Sequence, residues 1–277
     1  MLRSRILTAI LLLAVLAALL FAAPAIYWKA AVLFAALVAS WEWGGLARFP
    51  PLSRGLYVVL TALLAWAGDW LSAREGAGGV TGALYLLSLL FWCGIAPFWL
   101  ARQWKAGSSA LLAAVGWLLI LPTAFALETL HQVGPWVLLM FMIVIWLSDS
   151  AAYFVGRAWG SHKLAPAISP GKTWEGVGGG LAAVLLYAAG MAISGFPDAQ
   201  ADAVLRNLGW VWIPLCLALA VLGILGDLFE SWIKRVSGMK DSGDTLPGHG
   251  GVLDRIDALT ATLPIATGML MWLERSA

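Results

Sequence analysis

Nine stretches of this chain are long and apolar enough to cross a bilayer: about 5–24, 26–46, 55–72, 80–100, 108–129, 133–149, 176–194, 209–230 and 258–273. A spanning helix needs roughly 17–25 such residues. The first two are joined by a short turn at Pro24, and the span at 133–149 is short and ends in polar residues, so it reads as tilted or broken. The chain is 61% hydrophobic and only 12% charged. A soluble domain carries about 25% charged residues, so the solvent for this surface is the bilayer. The sequence therefore predicts an all-α, polytopic integral membrane protein of about nine transmembrane helices. Arg3, Arg5, the apolar run and "FAAPA" also fit a signal peptide. The run is long for that role and eight spans follow it, so an uncleaved first span is the reading.

Lys and Arg set the orientation. With the N-terminus in the cytoplasm and alternating spans, thirteen of the seventeen Lys and Arg fall on the inner side and four on the outer. Loops 150–175 and 231–257 then both face the cytoplasm. Short, positive inner loops suit a bacterial inner membrane. The chain divides into N-terminal spans, 1–130, and a second membrane region, 131–277, that holds both loops. Formal net charge is only +2, which gives no reason to expect nucleic acid. Cys93 and Cys216 lie inside apolar runs and read as packing residues rather than a disulfide or zinc site. Most of the seventeen Trp fall near run ends, where a bilayer interface favours an amphipathic ring.

The charge that remains is gathered. Gly226 to Asp257, "GDLFESWIKRVSGMKDSGDTLPGHGGVLDRID", holds six carboxylates, four Lys or Arg and one His. Asp227, Glu230, Ser231 and Lys234 are spaced to share one helix face. A Glu230–Lys234 helix-end pair is the plain alternative, but it leaves Asp227 unexplained, and an intramembrane carboxylate is costly unless paired, metal-bound or wet. Gly243, Pro247, Gly248, Gly250 and Gly251 make a loop with little side-chain bulk, which lets backbone N–H groups approach phosphate. Asp254 and Asp257 share a face at the start of the last span, enough negative charge for a divalent cation. His249 suits phosphate contact or proton transfer, against the alternative of a surface His. Lys234, Arg235, Lys240 and Arg255 suit phosphate neutralisation, or serve as flanking charge.

The other loop reads "WLSDSAAYFVGRAWGSHKLAPAISPGKTWEG". Ser148 and Asp149 end a span and face the same cavity, unless Asp149 is a cap. "SPGKTWEG" falls short of a P-loop, because Pro166 stands where the pattern needs Gly and no strand is expected before it. Ser169, Lys172 and Thr173 still lie where a helix N-terminus favours anions, while Glu175 binds substrate or caps the helix. "GVGGG" at 176–180 reads as a close helix-packing surface.

Ser231 to Asp257 resembles the signature of the phosphatidate cytidylyltransferase (CDP-diacylglycerol synthase) family, S-x-x-K-R-x4-K-D-x5-P-G-H-G-G-x-x-D-R-x-D, with every fixed position met. "SDSAAYFVGRAWG" and "SPGKTWEG" resemble its second block. The resemblance implies transfer of CMP from CTP to phosphatidate, giving CDP-diacylglycerol and pyrophosphate for phospholipid synthesis. It implies Mg²⁺, with a second cation left open, held by Asp227 and Asp254 with Asp241 and Asp257 close by. It also implies phosphate roles for Lys240, Lys172, Arg255 and His249, and a homodimer. A CTP-dependent polyprenol kinase and a transporter are the rival readings. Transporters usually show paired halves with repeated broken helices, whereas the polar groups here lie in one half.

Overall fold

A chain in hydrocarbon has nowhere to satisfy its backbone N–H and C=O groups except within its own helices. In the computed structural model the described residues are 2–75, 79–105, 107–246, 248 and 250–276, less the side chains of 2–9, 12, 75 and 274–276. They form eleven α-helices and one two-stranded hairpin: α1 (Leu2–Phe21), α2 (Ala25–Leu46), α3 (Pro51–Glu75), α4 (Val80–Leu90), α5 (Ala96–Ala101), α6 (Ser109–Val133), α7 (Pro135–Trp159), β1 (Lys163–Ala165), β2 (Ser169–Thr173), α8 (Trp174–Ser194), α9 (Ala199–Leu208), α10 (Trp212–Ser237) and α11 (Leu253–Ser276). Among the described residues eight helical segments are long and apolar enough to span a membrane. The remaining expected span, 5–24, coincides with α1, several of whose side chains lie outside the described residues. The all-α, polytopic membrane architecture stands.

Three departures from the sequence reading have local causes. The span expected at 133–149 does not stop there: α7 runs unbroken to Trp159. Ala151, Ala152, Arg157 and Ala158 favour helix there, Ala152 and Val155 pack closely on α8, and Gly134 and Pro135 fix the start. The expected absence of a strand before "SPGKT" is corrected. β2 is that segment, paired antiparallel to β1 with Lys163 opposite Thr173 and Ala165 opposite Ser169. The span at 80–100 widens into a π turn at Phe91–Ile95 before α5. Pro97, at the start of α5, has no N–H to return to Cys93 and its ring crowds that carbonyl.

The helix ends that alternation assigns to one side do meet. At one end Arg48, after α2, donates to the Val236 carbonyl near the end of α10 at 3.2 Å. At the other, Lys29 lies 2.5 Å from Asp69 and 3.5 Å from Glu128, joining the start of α2 to the ends of α3 and α6. The core beneath the charged end is aromatic. Phe229 on α10 takes Phe91, Trp92 and Trp99 edge-on at centroid distances of 5.3–5.6 Å. Trp92 is fully buried and donates its indole N–H to the Thr260 carbonyl of α11 at 2.9 Å. Trp43, Trp99 and Trp212 are likewise buried and bonded to carbonyls. These tryptophans stitch helices together rather than float at an interface, whereas Trp159, Trp174 and Trp210 stand exposed at helix ends.

Candidate active site

The charged end of the bundle is built from α7, the β1–β2 hairpin, α8, α10 and the start of α11. Small residues let these elements close. A Cβ on Gly176 would lie 2.7 Å from the Ala152 carbonyl of α7, and one on Gly180 would lie 2.9 Å from that of Ser148. The glycines of "GVGGG" do face a close helix contact, apart from Gly178, which faces open space. Thr173 caps α8 by accepting the Gly176 N–H at 3.1 Å. Glu175 accepts from the Ser161 hydroxyl at 2.9 Å, from His162 Nδ1 at 2.6 Å and from the His162 N–H. Its charge thus locks the mouth of the hairpin. Arg235 fixes the hairpin's far turn from α10, donating to the Ile168 carbonyl at 3.2 Å. Ser169 opens β2, across from Ala165.

The hairpin so held delivers Lys172 onto α10, where its Nζ lies 2.6 Å from Asp227 Oδ2. Ser231, one turn on, donates to Asp227 Oδ1 at 3.2 Å. Asp149 on α7 lies within electrostatic reach of both Lys172 and Asp227. Asp257 on α11 feels the like charges of Asp227, Asp149 and Glu230. Lys234 continues the series, with Nζ 2.7 Å from Glu230 Oε2 and 2.6 Å from Asp254 Oδ1. Glu230 is therefore paired with Lys234, but its Oε1 is buried with no hydrogen-bond partner. Ser148 Oγ is in the same condition. The result is a chain of five carboxylates compensated by two lysines.

The glycine loop serves these carboxylates first. The N–H groups of Ser242 and Gly251 donate to Asp254 Oδ2 at 3.0 and 2.8 Å. Gly251 therefore closes the loop on Asp254. Gly248 and Gly250 have φ of +76° and +78°, a left-handed backbone that glycine alone adopts cheaply. A Cβ on Gly250 would lie 2.5 Å from Asp254 Oδ2. Lys240, Asp241 and Arg255 are exposed. Pro247 and His249 lie outside the described residues.

The sequence reading overlooked Glu42. This α2 residue is 1% exposed, and its carboxylate accepts from Ser242, Thr245, Val252 and Leu253. The signal was available: a lone carboxylate within an apolar span is costly unless something holds it.

What the arrangement can do follows from its charge. The five carboxylates exceed the two lysines, and a partly buried excess of negative charge fits hard cations. Among the described residues no three His, Cys, Asp or Glu converge as a ready-made metal cage.

Comparison with known proteins points the same way. A model of the cytidylyltransferase family matches residues 3–273. A protein of Haemophilus influenzae named phosphatidate cytidylyltransferase is 37% identical, covering 95% of this chain and 96% of its own. One of the same name from Pseudomonas aeruginosa is 36% identical, covering 98% and 97%. A third, from Staphylococcus saprophyticus, is 43% identical over 145 residues, about half of each chain.

Proposed function

The chain belongs to the cytidylyltransferase family, and from that premise we propose that it transfers CMP from CTP to phosphatidate, forming CDP-diacylglycerol and pyrophosphate. The observation that carries the reading is the ionic chain itself, with Lys172 on Asp227 and Lys234 between Glu230 and Asp254 at one end of a membrane bundle. Two polyanions must be brought together there, one from the bilayer and one from water.

A phosphate oxygen of phosphatidate attacks the α-phosphorus of CTP. A new P–O bond forms, and the bond from that phosphorus to the oxygen bridging the β-phosphate breaks. Its electron pair leaves with pyrophosphate. The nucleophile is an anion near neutral pH, so no general base is required. The protein's task is alignment and relief of charge repulsion. Lys172, delivered by the hairpin, takes phosphate charge at the α7–α8 side, and Lys234, Arg235, Lys240 and Arg255 do so at the α10–α11 side. Ser148, Asp149, Ser169, Thr173 and Ser231 line the approach. His249 contacts phosphate.

Mg²⁺ is part of this proposal. Asp227 and Asp254, with Asp257 and Asp241 nearby, would hold it, and it would neutralise charge developing on the phosphates. The site opens to the cytoplasm of a bacterial inner membrane, a placement supported by the split of Lys and Arg between the two sides. The resemblance adds a homodimer. Residues 131–277 carry the chemistry on spans supplied by 1–130.

The test is turnover by detergent-purified protein with labelled CTP and phosphatidate, with Mg²⁺ or EDTA. Label entering the lipid with stoichiometric pyrophosphate, lost in EDTA and restored by Mg²⁺, is the expected result. Phosphorylation of a polyprenol with release of CDP would overturn it in favour of a kinase.

A further inference from the structure

We infer that Glu42, in the membrane span α2, is a positioning residue for the reaction: its carboxylate sets the fold of the loop 241–252 and the register of the first turn of α11. The kinetic half of this inference rests on the CMP-transfer reading; the structural half does not.

Each carboxylate oxygen of Glu42 takes two donors. Oε1 accepts from the Thr245 hydroxyl and from the Val252 N–H at 2.9 Å. Oε2 accepts from the Ser242 hydroxyl at 3.2 Å and from the Leu253 N–H at 2.8 Å. Val252 and Leu253 stand at the N-terminus of α11, whose first N–H groups lack partners within the helix. Glu42 is thus an N-cap supplied from another helix, some 210 residues away in sequence. A carboxylate suits that place for both its hydrogen bonds and its charge.

The loop is shaped to admit it. A Cβ on Gly243 would fall 2.9 Å from Glu42 Oε1, and one on Gly251 would fall 2.5 Å from Oε2. These two glycines let the backbone wrap a buried carboxylate. The same loop donates the Ser242 and Gly251 N–H groups to Asp254 on its other side. Glu42 and Asp254 therefore clamp one loop between them. Because Asp254 and Asp257 ride on the first turns of α11, whatever sets the start of that helix sets both. Glu42 touches none of the lysines of the ionic chain, so it acts through the loop.

An amide cannot replace it. Gln keeps one acceptor oxygen but turns an NH2 toward a backbone N–H. Glu42→Gln should therefore release the loop while α2 stays in place. In detergent, proteinase K should cut segment 241–252 about tenfold faster in Glu42→Gln than in the parent, with other sites unchanged. Turnover per folded molecule should fall by about 100-fold, chiefly in kcat rather than in KM for CTP. The Mg²⁺ concentration for half-maximal rate should rise with it. If Glu42→Gln does not fold, Ser242→Ala and Thr245→Val each remove one donor, and each should show a weaker form of the same pattern. A loop as resistant as the parent's overturns the inference, whatever the substrate. A labile loop with undiminished turnover per folded molecule also overturns it, reducing Glu42 to a structural group. An inactive parent would sink the reaction proposed above and leave the proteolysis result to judge Glu42 alone.

Discussion

Gly176 and Gly178 lie two residues apart on α8 and should respond oppositely to the same added methyl. At Gly176 a Cβ would sit 2.7 Å from the Ala152 carbonyl and 3.4 Å from the Gly156 Cα, where ordinary contact begins at 3.4 Å. About 0.7 Å must be found at the Ala152 carbonyl by moving backbone against backbone, and Thr173 Oγ1, at 3.2 Å, must also give slightly. Overpacking of this kind costs about 1–3 kcal/mol, of which the better helix propensity of Ala returns up to about 1. With that returned, the net loss is about 0–2 kcal/mol, which lowers Tm by up to roughly 8 °C in a chain of this size. At Gly178 a Cβ meets nothing within 4 Å, so only the propensity term remains and Tm should hold or rise slightly. Function should split likewise. Separating α7 from α8 draws Asp149 away from Lys172, and displacement approaching 1 Å costs up to about 100-fold in rate. Gly176→Ala should lose at least about tenfold in kcat, while Gly178→Ala keeps the parent's value. The assays are detergent thermal melts and CMP transfer on the same preparations. Equal Tm and equal kcat for the two variants would refute the reasoning, because α7 and α8 would then yield freely at a contact argued to be closed.

The ionic chain gives two further expectations. Asp227→Asn removes the partner of Lys172 and a proposed cation ligand, so it should abolish measurable transfer while the protein still melts cooperatively; near-normal activity would remove Asp227 from the mechanism. Glu175→Ala frees the hairpin mouth without touching Lys172, so transfer should fall by roughly tenfold through misplacement, and Glu175→Gln, which still accepts from Ser161 or His162, should recover part of it. Equal rates for the parent and both Glu175 variants would mean that α10, through Arg235, holds the hairpin unaided.

What the sequence revealed, and what it hid, follows from the range of each interaction. Helix interiors were legible because hydrophobicity is a local property summed over twenty residues. The Glu230–Lys234 pair was legible because it lies one helical turn apart. The hairpin was not: Ser169–Thr173 is short and polar, and what holds it, Glu175 at its mouth and Arg235 at its turn, lies in two other elements. The end of α7 was misjudged because Ser148 and Asp149 were read as leaving the membrane. In the fold Ser148 is buried, Asp149 lies within electrostatic reach of Lys172 and the helix runs on to Trp159, so polarity there does not mark the helix end. Glu42 could be noticed as a carboxylate in an apolar span, but what holds it could not. Its partners are some 200 residues distant, and no spacing rule connects them.

The position of the charges within the helices has its own logic. Asp227 follows Gly226, where a Cβ would lie 2.7 Å from the Asp257 carbonyl, 3.1 Å from Ala261 Cβ and 3.2 Å from Ala258 Cα. The glycine brings α10 against α11 at the level of Asp257, so two carboxylates from different helices are forced into one electrostatic field. Left alone, the two would drive their helices apart, since like charges in a partly buried site repel strongly. Lys172 and Lys234 relieve that repulsion from opposite flanks, one from the hairpin and one from α10 itself. Replacing Gly226 by Ala should therefore do more than strain the bundle. It should push Asp227 and Asp257 apart, weaken the attraction for a cation, and raise the Mg²⁺ needed for half-maximal transfer even in protein that remains folded. A Gly226→Ala enzyme with the parent's Mg²⁺ dependence would show that closeness of α10 and α11 is a packing feature only, and that the charge of the site acts without it.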